Sequence, residues 1–534
     1  MRSRRPKAKI PKSLTDVFGT PFERERKLQP VKFAKRMEVL DEPVLEFRYK
    51  QRLEDPRDGL TLFGPHDWEE NFHVSKISYG LVGTERGNAK FLDFVKLLHL
   101  PSIHDIEPSK LRLWPPFPGF EVAFDCELPS KPTRIFEIDE QPLLEESRQS
   151  NAYDRAYDVA DRYLEGIRDI KKGDEPINLA VCIVPEEVHR NCRPNSVIDP
   201  RQRVIRLNRR SQEYSEDGLL ETEDSLSKDF APDFRRQLKA REMLEKLPIP
   251  TQIIRDTTLR PNDEFVKGER GLTPLSDRAW NISTALYYKT GGKPWILGTA
   301  REGVCYVGLV YKRVLRPKES KTACCAAQMF LDDGDGVVFR SEFGPWYSPE
   351  TKEMHLKPEE ATSLLKKVLG SYRRQQGKQP LREVFLHYRS TMERDEYEAF
   401  RAACPPDVKV IAVRVKTDRY GVHLYREGTY PILRGTFWKV NDSTCYLWAS
   451  GFKSRLGTYD GSEVPAPLRI DIQHGLADLK QVAKDILGLT KLNYNECKYG
   501  DASPVTIGFS DAVGEILVSN PTVKDPDPRF RFYI

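Results

Sequence analysis

The stretch from Pro248 to Tyr311 constrains this chain most, because it sets a polar, lysine-bearing constellation between apolar runs. It reads PIPTQIIRDTTL, then an acidic spacer, then WNISTALYYKTGGKPWILG and VCYVGLVYKR. Ile249 to Ile254 has the length of a buried strand, yet carries Gln252 where such a strand ordinarily holds a hydrophobe. Asn281 to Tyr288 has helical character and runs into Gly291-Gly292, a helix stop signal. Lys289 and Lys293 sit at that end. An amide and two ammonium groups gathered at element ends suit a compact anion such as a terminal phosphate, each lysine acting as a point charge. A helix whose lysine end is simply solvated fits the same residues, and the local pattern alone leaves both readings open.

A chain of 534 residues has room for about three domains. With 39% hydrophobic and 31% charged residues it reads as soluble and globular. No apolar run approaches the roughly 20 residues of a membrane span, and no apolar signal-peptide core follows the basic N-terminus, so a cytoplasmic location is expected. The nine cysteines agree: their number is odd, Cys324 and Cys325 are adjacent in an apolar run, and no CxxC or Cys/His zinc spacing occurs. They read as reduced core residues. The net charge of +5 is uneven, since residues 1–40 hold 12 Lys and Arg against four Asp and Glu, which leaves the other 494 residues at −3. The tail MRSRRPKAKIPK reads as a flexible basic arm, equally suited to solubility and to a nucleic-acid or protein contact.

Along the chain, LDEPVLEFRYKQRLEDPRDGLTLFGPHD reads as an extended segment broken by Asp-Pro and Gly signals, and the proline-rich RLWPPFPGFEVAF as a packed connector. From Asn151 the pattern alternates: a helix (Tyr153 to Lys171), an apolar strand (Asn178 to Pro185), a polar loop (201–230), a helix (Phe234 to Lys246) and the Ile249 strand. This is a Rossmann-like order with ligands expected at strand ends, but no GxGxxG follows any strand. The C-terminal half differs. Three hairpin-connected strands (VCYVGLVYKR, TACCAAQMFLD, GVVFRSEFG) precede a long helix (Lys357 to Gln376), the strand EVFLHYR, a shorter helix near Glu393 to Ala402 and the strand VKVIAVRV. That is the order of a ribonuclease-H-like domain.

These motifs, with LTKLNYNECKYGDASPVTI and the terminal FYI, resemble the Mid and PIWI domains of short prokaryotic Argonautes over nearly all of the chain after about Leu40. The resemblance implies an α/β fold, a Rossmann-like Mid domain followed by a ribonuclease-H-like PIWI domain. It divides the chain into a basic extension (1–40), an N-terminal linker segment (41–150), Mid (151–300) and PIWI (301–534). In that family a Thr-Gln pair, a helical lysine and a lysine before Gly-Gly hold the guide's 5′ phosphate, which maps onto Thr251-Gln252, Lys239 and Lys289. Arg235, one turn before Lys239, stands where many long Argonautes carry tyrosine, and Lys293 joins the set. The terminal carboxylate, here on Ile534, reaches the pocket through a Mg²⁺ shared with guide phosphates. Tyr287 or Tyr288 could stack on the first guide base, though at least one of them reads as helix core.

Nucleases on this fold hold two divalent cations with several carboxylates. The family's Gly-x-Asp falls on Gly308, Leu309 and Val310, and its Tyr-Arg-Asp on Tyr388, Arg389 and Ser390, so neither metal-ligand position carries an acid. Glu342 is a candidate for the family's mobile glutamate, and Asn493 or Asn495 for the last position. Asp332, Asp333, Asp335, Glu393 and Asp395 read as turn and helix-start residues. The resemblance therefore implies a catalytically inactive protein that binds a 5′-phosphorylated guide RNA and recognises complementary single-stranded DNA. It also implies a heterodimer, open to higher assembly on activation, with an APAZ-domain effector: a TIR-type NAD(P)-degrading enzyme first, a sirtuin-like enzyme or a DNase as alternatives. Such a pair serves defence against plasmids or phage.

Overall fold

The computed structural model describes residues 37–534 apart from 70–72, 103–110, 195, 199–231, 248, 264–270, 314–322, 331–335, 341–354, 376–379, 462 and 520–528. The basic arm before residue 37, the 201–230 loop, Asp332, Asp333, Asp335 and Glu342 lie outside the described residues. In chain order the first strands are β1 (Met37–Val39), β2 (Leu45–Glu46), β3 (Arg52–Leu53), β4 (Tyr79–Gly83), β5 (Arg134–Glu137), β6 (Leu179–Val184), β7 (Thr251–Arg255) and β8 (Ile296–Leu297). The second half contributes β9 (Val304–Arg313), β10 (Ala323–Phe330), β11 (Gly336–Arg340), β12 (Glu383–Tyr388), β13 (Lys409–Thr417), β14 (Thr436–Lys439), β15 (Thr444–Trp448) and β16 (Leu468–His474).

Strands β5, β4, β6 and β7 form, in that order, a parallel sheet. The apolar runs YGLVG and LAVCIV are buried throughout, as a parallel sheet covered on both faces requires. Alternation at period two divides them. Val82, Ala180, Cys182 and Val184 face a core with the helices Ala152–Lys171 and Phe234–Leu244. Leu81, Leu179, Val181 and Ile183 face the helices Glu85–Leu98 and Leu275–Thr290. The expected αβ alternation from Asn151 is present, but β4 and β5 come from the segment read as a linker. A division at residue 150 therefore cuts through this sheet. The segment read as extended also differs: Asp55 accepts from the Arg57 N–H at 2.9 Å, and Pro56 sits at the first helical position, so Asp-Pro starts the helix Pro56–Leu62.

The nine-stranded sheet runs β1-β14-β15-β16-β13-β12-β9-β10-β11. Its β9-β10-β11 meander and parallel β9, β12 and β13 match the ribonuclease-H-like order. Cys305, Val307 and Leu309 pack under the helices Pro358–Gln375 and Arg394–Ala403, while Val304, Tyr306 and Val310 face the core that includes the helix Val505–Ser519. Met37–Val39, counted with the basic extension by sequence, is the edge strand beside β14. The seven described cysteines outside β10 are buried thiols. Among the described residues, no helix is long and apolar enough to cross a membrane.

A buried ion cluster ties the N-terminal segment to the second half. Arg434 donates through Nε to both Glu42 oxygens at 3.0 Å, through Nη2 to Thr490 at 2.6 Å, and to the Ala449 carbonyl. Lys491 donates to Glu42 at 2.8 Å and to the Glu54 carbonyl at 2.7 Å. Each charge is repaid only while the others stay, because a buried ion left alone loses its hydration without compensation. Arg434→Ala should destabilise this junction by about 3–5 kcal/mol, read as a lowered midpoint of the first thermal unfolding transition. A midpoint within a degree or two of wild type would show that the cluster does not hold the junction.

Candidate nucleotide-binding site

Two lysines from different helices converge on one backbone oxygen. Lys239, from the helix Phe234–Leu244, donates to the Thr251 carbonyl at 2.7 Å, and Lys289, from the last turn of the helix Leu275–Thr290, donates to the same carbonyl at 2.9 Å. They are 1% and 2% exposed, so both ammonium groups are out of bulk water. Glu242 is the carboxylate beside them, 3.9 Å from the Lys239 ammonium, and it accepts the Thr251 hydroxyl. Burial lowers the pKa of both lysines, and at Lys289 the neighbouring cations Lys239 and Arg235 lower it further. Burial pushes the Glu242 carboxyl up. The site is thus a desolvated cationic cluster with an incomplete internal counter-charge, the condition under which an anion that reaches it gains most.

Local structure explains the placement. Asp233 caps its helix by accepting from the Arg236 N–H at 2.9 Å, which fixes the start and puts Lys239 on the face towards β7. The other helix ends at Gly291, φ 114°, with N–H groups of Gly291 and Gly292 on the Tyr288 and Tyr287 carbonyls at 3.0 and 3.1 Å. The predicted stop at Gly291-Gly292 is present, although the helix begins at Leu275, upstream of the apolar run that signalled it.

Gln252 follows Thr251 on β7. Its Oε1 is buried with no hydrogen-bond partner among the described residues, while Nε2 donates to the Ile253 carbonyl at 3.4 Å. An orphaned amide oxygen at this point is an unused donor atom for a ligand or cation. Arg235, at the exposed first turn, donates to the Tyr533 carbonyl at 3.2 Å, so the chain's last residues lie beside the lysines, with Ile534 buried. Lys293 is set by its backbone, whose N–H donates to Asp67 at 2.9 Å.

Sequence reasoning missed Arg531. Its Nη1 would lie 2.7 Å from a Cβ on Gly291, so position 291 requires glycine both for its positive φ and for the close approach of this guanidinium. The alternating Arg and aromatic residues of RFRFYI are the available signal. The stacking role for Tyr287 or Tyr288 is corrected: both are core. Tyr287 donates to Asp67 at 2.6 Å and packs 5.0 Å from Phe124, and Tyr288 stacks on Tyr494 at 4.6 Å.

At the positions read as lacking metal-ligand acids, β9 and β12 are adjacent and parallel, with Gly308 opposite His387. Val310 lies two residues further along β9, opposite Ala326 of β10, and Ser390 stands just past the end of β12. On the Val310 face, His387 is buried and shares a 3.0 Å hydrogen bond with Thr506 of the helix Val505–Ser519. Burial pushes its pKa down to about 3, which keeps the imidazole neutral. Valine, a neutral imidazole and a hydroxyl thus stand here. Asn493 and Asn495 do not join them: Asn493 donates to Asp501 at 2.8 Å, Asn495 caps on Asn493, and their loop docks on Asn281 through the Cys497 N–H at 2.9 Å. Glu393 and Asp395 sit at the start of the helix Arg394–Ala403, as read.

No known protein-family profile and no curated protein matches this sequence. Among solved structures, the fold is similar to Clostridium butyricum Argonaute bound to a guide DNA and a 19-mer target DNA, with TM-score 0.61 and 15% identity over 93% of this chain and 55% of that one. It is also similar to Aa-Ago with externally bound siRNA (TM-score 0.54, 15% identity, 93% and 56% covered) and to A. aeolicus Argonaute (TM-score 0.51, 15% identity, 92% and 54% covered). The chain spans about half the length of each. At this identity the likeness establishes the fold, a mixed α/β architecture resembling the Mid-PIWI region of prokaryotic Argonautes.

Two buried lysines that repel one another should not help the free protein. Lys289→Met keeps the stem, removes one desolvated charge and should leave thermal stability equal or raised at neutral pH. A clear fall in the melting midpoint would make Lys289 a structural residue.

Proposed function

We propose that this chain is the guide-binding, nuclease-inactive half of a two-subunit Argonaute system. Its guide is an RNA whose 5′ phosphate enters the hollow at Lys239, Lys289 and Gln252, with Arg235 and Lys293 at the rim, and it pairs with complementary single-stranded DNA. The observation that carries this reading is the convergence of Lys239 and Lys289 on the Thr251 carbonyl beside an unpartnered Gln252 oxygen and the chain's terminal residues. A phosphate dianion supplies the charge that Glu242 alone does not balance.

A Mg²⁺ fits this set as an ion shared with the ligand. The Gln252 oxygen and the Ile534 carboxylate are hard oxygen donors, but two oxygens beside two ammonium groups do not retain the ion unless guide phosphates complete its shell. When bound, it would screen repulsion between neighbouring guide phosphates. The protein's own residues do the selecting: the lysines neutralise the terminal phosphate, and the buried walls exclude competing water.

Lys289→Ala should weaken binding of a 5′-phosphorylated guide by roughly tenfold or more, given on the order of 1.5–3 kcal/mol per charge-assisted contact, while barely changing a 5′-hydroxyl guide. Because a bound dianion raises lysine pKa values that burial holds low, binding takes up a proton, and wild-type preference for the phosphate should fall as pH rises. Equal losses for both guides, or a preference independent of pH, would leave the lysines as general electrostatics.

Val310 and Ser390 offer no carboxylate to a catalytic cation, so output is assigned to a separate subunit. A Mid-PIWI half presents one wall to a duplex of about 20 base pairs, and an APAZ-bearing partner would supply the other together with its effector. In the cytoplasm of a cell under plasmid or phage attack, target pairing would switch on NAD⁺ loss. Mixing chain, phosphorylated guide RNA and complementary DNA with the neighbouring gene's product should consume NAD⁺ and leave the DNA intact. Metal-dependent cuts at a fixed distance from the guide's 5′ end by the chain alone would overturn the inactive reading, and DNA loss without NAD⁺ loss would replace the NADase with a DNase.

A further inference from the structure

The connection from β13 to β14 carries chemistry that the lysine hollow does not use. Tyr420 and Tyr425 are 94% and 77% exposed, and neither hydroxyl has a hydrogen-bond partner among the described residues. From Gly421 to Glu427 exposure alternates at period two: His423, Tyr425 and Glu427 face solvent, while Val422, Leu424 and Arg426 are half-buried. The segment is anchored from beneath. The Arg426 guanidinium lies 4.8 Å from the Phe452 ring centroid, Tyr430 packs 4.8 Å from the same ring, and the Gly421 N–H donates to Asp418 at 2.8 Å. The outward rings are therefore held out by fixed backbone.

Their place in the sheet is informative. Gly308, His387 and Val413 stand in one row across β9, β12 and β13, all parallel, and the same register continued by two residues brings Val310, Arg389 and Val415 level. The connection leaves β13 at Asp418, about 10 Å beyond that row. It thus rises from the carboxyl ends of the strands that carry Val310 and Ser390, the edge at which parallel α/β sheets receive ligands. From β13 to β11, beside which the C-terminal turn Phe530–Phe532 lies, is four strand spacings, about 19 Å.

We infer that residues 419–427 form a contact for single-stranded nucleic acid, in which Tyr420 and Tyr425 stack on unpaired bases and Arg419 and His423 lie along phosphates. Every base has a π face, so two exposed phenol rings with the Arg419 guanidinium beside the first favour a single strand without selecting sequence. The outward residues between the rings are polar or charged, which does not make the contiguous apolar patch of a protein interface. This rests on the nucleic-acid reading above and adds a second contact, about 19 Å across the sheet from the C-terminal turn beside the hollow.

The test uses the full chain loaded with a 5′-phosphorylated guide RNA and a complementary DNA carrying an unpaired flank. The pair Tyr420→Ala and Tyr425→Ala should bind that DNA about tenfold more weakly, while the pair Tyr420→Phe and Tyr425→Phe, which keeps both rings, binds as wild type. 5-Iodouracil placed along the unpaired flank should crosslink to Tyr420 or Tyr425. Both rings are exposed, so neither pair should disturb folding, and unchanged guide affinity verifies this. Equal DNA affinity in the alanine pair overturns the inference, as does loss of a protein partner with nucleic-acid affinity retained. If wild type binds neither guide nor target, the guide-binding reading fails and takes this contact with it.

Discussion

The Thr251 carbonyl is the point on which two buried lysines converge. One oxygen accepts from two ammonium groups that approach from different helices, with a single carboxylate nearby. Such an arrangement is expensive, since desolvated cations of like sign are brought within reach of one another. It persists because their surroundings fix each approach: β7 in register with β6, a capped helix on one side, and a glycine-terminated helix on the other. On the proposed function, the entering phosphate offsets that cost.

The chain's end completes this region. Arg235 holds the Tyr533 carbonyl, Arg531 crowds the Gly291 backbone, and Phe530 packs edge-on to Phe509 at 5.2 Å. The last residues of the second half therefore form a wall for a hollow made by the first. The N-terminal segment plays a similar part elsewhere: β2 pairs with β3 on one side and β8 on the other, Glu42 enters the Arg434 and Lys491 cluster, and β1 closes one edge of the nine-stranded sheet. The two halves share cores and are not beads on a linker.

The carboxyl edge of the nine-stranded sheet is a different environment. Val310, neutral His387 and Thr506 make it poor in oxygen donors, yet the same edge raises Tyr420 and Tyr425 into solvent. On the proposed function, that edge holds a strand of nucleic acid and does not cut it.

Much of this was legible in the chain itself. Continuous apolar runs marked β6 and β9 to β13, because strands buried on both faces leave little room for polar residues, and Gly291-Gly292 marked a helix end because few other residues take a positive φ. Gln252, Lys239 and Lys289 could be singled out as residues out of place in apolar surroundings. Sequence could not say that Lys239 and Lys289 touch the same carbonyl, that Tyr287 and Tyr288 turn inward, that Asn493 and Asn495 lie away from the β9–β12 edge, or that Arg531 reaches Gly291. The short strands β1 to β3, β14 and β15 also escaped, since a few residues carry little periodicity and are held by their partners. Local pattern records what one segment needs to bury, so the sequence by itself determined the elements and their chemistry. Which distant side chains share a hollow depends on packing between segments up to some 300 residues apart, as Arg235 and Tyr533 are, and only the tertiary structure decided that.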